Sequence, residues 1–196
     1  MKPTKDLGAL LEFVNFTHEI RKIKRAMWVK DDEQFENDSE HGYQLALVAL
    51  YIIEERQLSL DAFKCMGIAL VHDILEVHSG DTPIFGDKDT RASQAERERQ
   101  AVLSLKAQWP QMKIMLSLID EYEARVSNES KFIYALDKLV PILNNYLDNG
   151  RNWHKNSVTL DDIQAAKQSK VSVDPIVASY YADIVTVLEN RADLFL

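Results

Sequence analysis

The chain has 196 residues, of which 46% are hydrophobic and 28% are charged, with only 6 Gly and 5 Pro. This composition excludes disordered and fibrous proteins and is typical of one mostly helical globular domain. The net charge of -8 excludes broad binding to nucleic acid polymers, because such binding needs many phosphates to be neutralised by Lys and Arg.

Cysteine content and hydropathy limit the cellular context. A single cysteine, Cys65, excludes an internal disulfide. No run of the sequence approaches the roughly 20 apolar residues of a membrane span, and the first residues lack the apolar core of a secretory signal. We therefore expect a cytoplasmic protein that makes no contact with a membrane.

The sequence of the first half of the chain predicts three helices. Apolar residues at near-helical spacing indicate an amphipathic helix over about 7–24. The acidic stretch 31–38 has no periodicity and predicts a loop, which Ser39 ends as the N-cap of a second helix running to about residue 56. Asp61 is the expected N-cap of a third helix that ends at about residue 77.

The second half continues the helical pattern. Residues 78–90 contain Ser-Gly-Asp-Thr-Pro and a second Gly-Asp, which predict a loop. Helical periodicity then resumes over about 93–107, 112–125 and 130–147, and from about 173 to the last residue. No segment has a convincing strand pattern. The sequence therefore predicts an all-α fold, a single-domain helical bundle with a C-terminal helical segment of about 159–196.

The C-terminal segment carries more hydrophobic residues than one amphipathic stripe needs. Two interpretations are open, deep packing within the chain or a dimer interface, and we expect a homodimer. The residues concerned are Ile176, Val177, Tyr180, Tyr181, Ile184, Val185, Val187 and Leu188.

The doublet His72-Asp73 offers an imidazole and a carboxylate side by side, and Glu76 follows His72 by one helical turn. Mixed nitrogen and oxygen ligands suit divalent metals such as Mn, Co, Fe or Zn. The alternative is a solvated or structurally hydrogen-bonded pair, since such doublets are common.

Two further residues extend this pattern from separate predicted helices. His41 precedes an apolar run, and its alternative role is that of a satisfied core or capping histidine. Asp137 lies in an otherwise apolar helix, where an unpaired carboxylate facing the interior would be costly. Its alternative is a surface ion pair with Lys138 or another cation.

The order of His41, His72-Asp73 and Asp137 on successive helices resembles the HD-domain superfamily of metal-dependent phosphohydrolases. Within it, the sequence is most similar to the branch that contains the 5′-deoxynucleotidases. The further matching motifs are Arg25, Ser39-Glu40-His41, His72-Asp73-Ile-Leu-Glu76 and Gly80-Asp81-Thr-Pro83.

The resemblance implies an HD-type helical bundle with a metal-site core of about 13–147, in which His41, His72, Asp73 and Asp137 bind one divalent metal ion. The candidate ions are Mn, Co, Fe, Zn and Mg, and bound water is the expected nucleophile. Glu76 is expected to act with Asp73 in catalysis by exchanging a proton with the attacking water or the leaving oxygen. The alternative for Glu76 is to accept a hydrogen bond from a ligand imidazole.

The resemblance also implies residues that contact the substrate. Arg25 offers a planar guanidinium to the substrate phosphate. Asp81 matches a position associated with the sugar, although a plain turn residue is the alternative. Trp28 completes the expected set, three residues after Arg25, whereas in well-known 5′-deoxynucleotidases a tryptophan follows the arginine directly. This displacement leaves the preference for deoxyribose over ribose open.

The expected function is hydrolysis of nucleoside or deoxynucleoside 5′-monophosphates to nucleoside and phosphate. Two alternatives are open. One is a hydrolase of another nucleotide or of a pyrophosphorylated compound. The other is a catalytically silent helical interaction module.

Overall fold

The computed structural model describes residues 4–79 and 94–195. Helices α1 to α5 are Lys5–Ile20, Asp38–Glu55, Ala62–Val71, Glu76–Ser79 and Gln94–Gln108. Helices α6 to α10 are Lys113–Ala124, Asn128–Leu147, Arg151–Asn156, Leu160–Val171 and Pro175–Glu189, and a 3-10 turn follows at Ala192–Phe195. The predicted all-α helical fold is confirmed.

The expectation that the chain has no strand is wrong for one short antiparallel pair. Strand β1, Lys24–Trp28, pairs with β2, Phe35–Asn37, so that Lys24 lies opposite Asn37 and Trp28 opposite Phe35. These strands are only five and three residues long, which is too short to show a clear hydrophobic alternation. The first helix therefore ends at Ile20 rather than at about residue 24, and the supposed loop 31–38 contains β2.

Helix α2 begins at Asp38, and its N-cap is Asn37, two residues before the predicted N-cap Ser39. The Asn37 side chain accepts hydrogen bonds from the backbone N–H groups of Ser39 and Glu40, and the Glu40 side chain accepts one from the N–H of Asn37. This reciprocal capping box satisfies the free donors of the first turn. Strand β2 ends at Asn37 and α2 begins at the next residue, so the strand and the capped first turn together hold the backbone of His41 in place.

Helices α2 and α3 approach each other closely at two small residues. A Cβ added at Gly42 would lie 3.2 Å from the carbonyl oxygen of Ala69, so the backbones meet there. Consequently α3 buries Cys65, Ile68 and Ala69. Two large apolar side chains of α3 lie on its other face, where Phe63 is 83% exposed and Leu70 is 61% exposed.

Helix α3 is capped by Asp61 as predicted but ends at Val71, six residues before the expected end. Residues 72–75 form turns, and Glu76 starts the separate helix α4. The His72-Asp73 doublet therefore stands at a helix end rather than in the middle of a helix. This placement lets the doublet face the N-terminal end of α2.

Two clusters of buried hydrophobic side chains form the core. The larger cluster contains side chains of α2, α3, α7, α9 and α10. The smaller cluster contains side chains of α1, α5 and α6 and includes Phe16, Leu105 and Trp109. Along α10, one face is buried, consisting of Val177, Tyr181, Ile184 and Leu188. Deep packing therefore accounts for this face. The division into a core of about 13–147 and a segment of about 159–196 stays a prediction.

Among residues 4–79 and 94–195, no helix has the length and apolar character that crossing a bilayer requires.

Lys167 is a charged residue on the buried face of α9, with only 7% of its surface exposed. Burial lowers the pKa of its ammonium to about 7; Lys138 lowers it further and Asp137 opposes this, while Lys170 and Arg25 contribute smaller repulsions. We expect Lys167→Met to raise the free energy of unfolding at neutral pH by about 1–3 kcal/mol, because the variant buries no polar amine.

The same residue gives a pH dependence whose sign follows from proton counting. Between pH about 7 and 10.5 the unfolded chain binds more protons at Lys167 than the folded chain does. Stability due to this group therefore rises with pH, by up to about 1.4 kcal/mol per pH unit. Urea unfolding at several pH values should show the advantage of Lys167→Met shrinking as the pH rises. The exposed Lys113→Met is the control, and a constant difference between Lys167→Met and wild type would contradict the assignment.

Candidate metal centre

The His72 side chain is buried and held in one orientation. Its Nδ1 donates a hydrogen bond to the carbonyl oxygen of Ala69 at 2.8 Å, the same oxygen that faces Gly42. In the neutral imidazole this leaves the lone pair on Nε2. Nε2 is buried and has no hydrogen-bond partner among the described residues. A hydrogen-bonded Nδ1 with an open Nε2 is the usual arrangement of a metal-ligating histidine.

Negative charge surrounds this nitrogen. Asp73 Oδ2 lies 3.0 Å from His72 Nε2, and Asp137 Oδ1 lies 3.7 Å from it. Burial alone would lower the pKa of His72, but these two carboxylates outweigh it and raise the pKa to about 10. The pocket around Nε2 therefore favours a cation, whether a proton or a metal ion.

Asp137 joins the two histidines from the middle of α7. Its Oδ1 lies 3.0 Å from Nε2 of the fully buried His41, and its Oδ2 accepts hydrogen bonds from Tyr122 Oη at 3.2 Å and from Lys138 Nζ at 2.5 Å. Burial would raise the pKa of Asp137, but Lys138, His41 and His72 hold it well below its usual value. The ion pair with Lys138 thus exists, but it uses the oxygen that faces away from the histidines.

These separations fit the ligands of one metal ion. Two donor atoms bound at about 2.1 Å and at right angles lie about 3.0 Å apart. The observed separations are 3.0 Å for His41 and Asp137, 3.0 Å for His72 and Asp73, and 3.7 Å for His72 and Asp137. Donor atoms of His41, His72 and Asp73 all lie within 4.8 Å of one another. The mixed nitrogen and oxygen donors suit a divalent ion.

Arg25 reaches this cluster from β1 and not from the end of a helix. Its Nη1 donates to Asp73 Oδ2 at 2.6 Å and lies 3.4 Å from Asp38 Oδ1, while Nε lies 3.4 Å from Glu36 Oε2. Burial opposes the charge, but the surrounding carboxylates outweigh it and raise the pKa of Arg25 above its usual value. The guanidinium therefore neutralises part of the negative charge beside the candidate ligands.

Two buried carboxylates were missed because residues 31–38 were interpreted as a solvent-exposed loop. Glu36 and Asp38 are both buried, and Glu36 Oε2 lies 3.7 Å from His41 Nδ1. Burial raises the pKa of Glu36 to about 7, with Arg25 acting in the opposite direction. The capping signal at Asn37, next to both acids, could have placed them at the start of α2.

Tyr122 was also missed, although a signal was present. It continues the buried stripe of Met115 and Ile119 along α6. A tyrosine in a buried stripe needs a partner for its hydroxyl. Here that partner is Asp137.

Three further residues were predicted to belong to the site, namely Glu76, Trp28 and Asp81. Glu76 is partly buried, and its backbone N–H donates to the carbonyl of Asp73 at 2.9 Å, although the continuous helix expected to stack it below His72 is absent. The Trp28 ring stacks on Phe35 at 4.2 Å, and no contact among the described residues joins it to the metal-ligand candidates. Asp81 lies outside the described residues.

A cavity of about 150 Å³ opens beside the candidate ligands. Residues at the start of α2 and the end of α3 form most of its wall, which includes Asp38, Ser39, Leu70, His72 and Asp73, with Ile20 from α1. The cavity therefore gives a small molecule access to the His72-Asp73 side of the cluster.

Comparison with known proteins identifies relatives of the chain. The human protein named 5′-deoxynucleotidase HDDC2 is 30% identical over 138 residues, which are 69% of this chain and 66% of that protein. The bovine protein of the same name is 32% identical over 137 residues, 68% of this chain and 65% of that protein. The matches thus span slightly less than two thirds of these relatives.

Solved structures share the fold. A predicted metal-dependent phosphohydrolase from Magnetospirillum magnetotacticum MS-1 has a TM-score of 0.82 at 28% identity, covering 100% of both chains. The PH0347 protein from Pyrococcus horikoshii OT3 has a TM-score of 0.63 at 21% identity, covering 90% of this chain and 96% of that one, and supports the fold alone.

The family model described as HD domain matches residues 17–176. That range includes His41, His72, Asp73 and Asp137, the four residues whose order first suggested the resemblance. The chain belongs to the HD-domain family.

Proposed function

We propose that the chain is a metal-dependent phosphohydrolase that converts nucleoside and deoxynucleoside 5′-monophosphates to nucleoside and phosphate. The observation that carries the proposal is the buried Nε2 of His72, which faces Asp73 and Asp137 and lacks a hydrogen-bond partner among the described residues. Family membership and the names of the human and bovine relatives support the choice of reaction and substrate.

Under this proposal His41, His72, Asp73 and Asp137 hold one divalent ion, and Mn, Co, Fe, Zn and Mg are the candidates. When bound, such an ion polarises a phosphoryl oxygen and makes water more acidic, which is the chemistry that phosphate ester hydrolysis needs. The carboxylates supply two negative charges, so the loaded site has lost most of the charge that would repel a phosphate.

The remaining proposed roles belong to residues that are not candidate ligands of the ion. Arg25 binds the substrate phosphate through its guanidinium. Glu76 exchanges a proton with the attacking water or the leaving oxygen. Contact with the sugar is proposed for Asp81. Trp28 is proposed as part of the substrate site, but its ring is already flanked by Phe35 and by the cations of Arg151 and Lys155.

The direct test is phosphate release from a panel of ribo- and deoxyribonucleoside 5′-monophosphates, with Mn, Co, Mg and Zn supplied separately. We expect release of inorganic phosphate with at least one ion. Turnover of nucleoside di- or triphosphates alone would favour the alternative of a different nucleotide hydrolase. Metal binding without turnover of any nucleotide would favour the silent interaction module.

We propose a homodimer formed through α1 rather than α10. Leu7, Leu10, Leu11 and Val14 are 43–58% exposed and recur at helical spacing, which makes an apolar stripe on the outer face of α1. Symmetric pairing of identical patches is the commonest way to cover such a stripe. We expect Leu10→Glu to convert dimer to monomer in sedimentation equilibrium. The matched control Ile114→Glu, at a side chain that is 80% exposed on α6, should leave the dimer intact. A wild-type monomer would contradict this proposal.

A cytoplasmic location stays a prediction. The only cysteine, Cys65, is fully buried, and burial raises the pKa of its thiol to about 12. A reduced, buried thiol is compatible with a reducing compartment. Fractionation of the source cells would test the location.

A further inference from the structure

The two oxygens of Asp137 have different neighbours. Oδ1 faces the imidazoles of His41 and His72, at 3.0 and 3.7 Å from their Nε2 atoms. Oδ2 accepts hydrogen bonds from Tyr122 and Lys138. Turning the carboxylate would break both contacts, so Tyr122 and Lys138 fix the orientation of Asp137.

Tyr122 comes from α6, an element that supplies none of the candidate ligands. Its side chain is 8% exposed, and its ring packs edge-on against the His72 imidazole, with 5.4 Å between centroids and 71° between planes. One residue thus contacts two candidate ligands, one through its hydroxyl and one through its ring.

The packing of α6 does not require the hydroxyl of Tyr122. A phenylalanine would continue the buried stripe of Met115 and Ile119 equally well, and it would avoid the cost of burying a hydroxyl. The cost is offset only because Asp137 accepts the hydrogen bond.

We propose that Tyr122 is a positioning residue: its hydroxyl holds Asp137 Oδ2 so that Oδ1 alone points toward His41 and His72, and its ring supports His72. This inference rests on the proposed function, because it concerns the metal that the proposed function requires. Partners that orient metal-ligating side chains contribute to metal affinity even though they do not touch the ion.

The test is the affinity of the full chain for Mn²⁺ measured by calorimetry. We expect Tyr122→Phe to weaken Mn²⁺ binding by about 10–100-fold. Binding should not be abolished, because Lys138 still contacts Oδ2. The control is Tyr134→Phe, whose ring lies 6.2 Å from that of Tyr122 and whose loss of a hydroxyl should leave Mn²⁺ affinity unchanged.

A second readout separates positioning from a structural role. At saturating Mn²⁺ we expect Tyr122→Phe to recover the wild-type kcat with an unchanged KM for a deoxynucleoside monophosphate, since Tyr122 does not line the cavity beside the candidate ligands. A lowered melting temperature with wild-type Mn²⁺ affinity would overturn the inference and leave only a packing role. Wild-type protein that binds no Mn²⁺ or other divalent ion would overturn the proposed function itself, and the inference with it.

Discussion

Replacing His72 with alanine is expected to eliminate binding of the divalent ion and to lower phosphate release by roughly 10³-fold or more, since a metal ion contributes several kcal/mol to such reactions. The reason is geometric, because His72 Nε2 is the buried ligand atom that lies near both carboxylates and makes no hydrogen bond among the described residues. Metal content by mass spectrometry and phosphate release measure the two effects. The exposed His18→Ala on α1 is the control and should change neither.

The same site predicts how metal binding depends on pH. In the metal-free chain the pKa of His72 is raised to about 10, so at neutral pH the ion must displace a proton. Affinity for Mn²⁺ should therefore rise with pH from neutral toward about 10, by up to about tenfold per unit for one released proton. An affinity that stays flat over this range, or a His72→Ala variant that retains its metal, would contradict the assignment of His72 as a ligand.

The second large effect is expected at Glu76. We expect Glu76→Gln to lower kcat by about 10²–10⁴-fold, because the amide cannot exchange the proton that a general acid or base transfers. Glu76 is partly buried at the first residue of α4, joined to Asp73 by a backbone hydrogen bond. Metal content should stay at the wild-type level, because Glu76 is not among the candidate ligands.

Steady-state kinetics at saturating metal measure the effect of Glu76→Gln, with the exposed Glu54→Gln on α2 as the matched control. Full turnover by Glu76→Gln would exclude the proton-transfer role. Metal loss together with turnover loss would instead favour the alternative in which Glu76 accepts a hydrogen bond from a ligand imidazole.

The helices and the family could be predicted from sequence because their signals are local or carried by a few residues in fixed order. The apolar run after His41 predicted α2, helical periodicity predicted α7, and Asp61 marked the start of α3. The convergence of His41, His72 and Asp137 could be expected only through the resemblance, since helical periodicity does not indicate how helices pack. The close contact of Gly42 with Ala69 is what brings the two histidines together.

The end of α3 could not be predicted. No Gly, Pro or Asn interrupts residues 71–76, so the pattern favoured a continuous helix to about residue 77. The helix stops at Val71, where the His72 side chain bonds back to the carbonyl of Ala69 and Asp73 makes a tertiary contact with Arg25. Such contacts can override local helix propensity.

The burial of the charged residues around Arg25 could not be predicted from the sequence. Glu36 and Asp38 look like solvated acids in a polar stretch, and Arg25 looks like part of a basic helix end. In the structure Glu36 and Asp38 are buried, Arg25 is partly buried, and the single guanidinium pairs with both acids and with Asp73. Sequence patterns treat charge as a mark of exposure, so they miss a cluster whose members pair across strands and helices.

The proposed function requires that His41, His72, Asp73 and Asp137 hold a divalent ion with which the chain hydrolyses a nucleoside monophosphate. The most direct measurement is phosphate release by the purified full chain before chelation, after chelation and after a divalent ion is added back. We predict about one ion per chain, release that stops on chelation and returns on reconstitution, and loss of both in His72→Ala. A chain that binds none of Mn, Co, Fe, Zn or Mg, or that releases phosphate equally well without them, would contradict the claim.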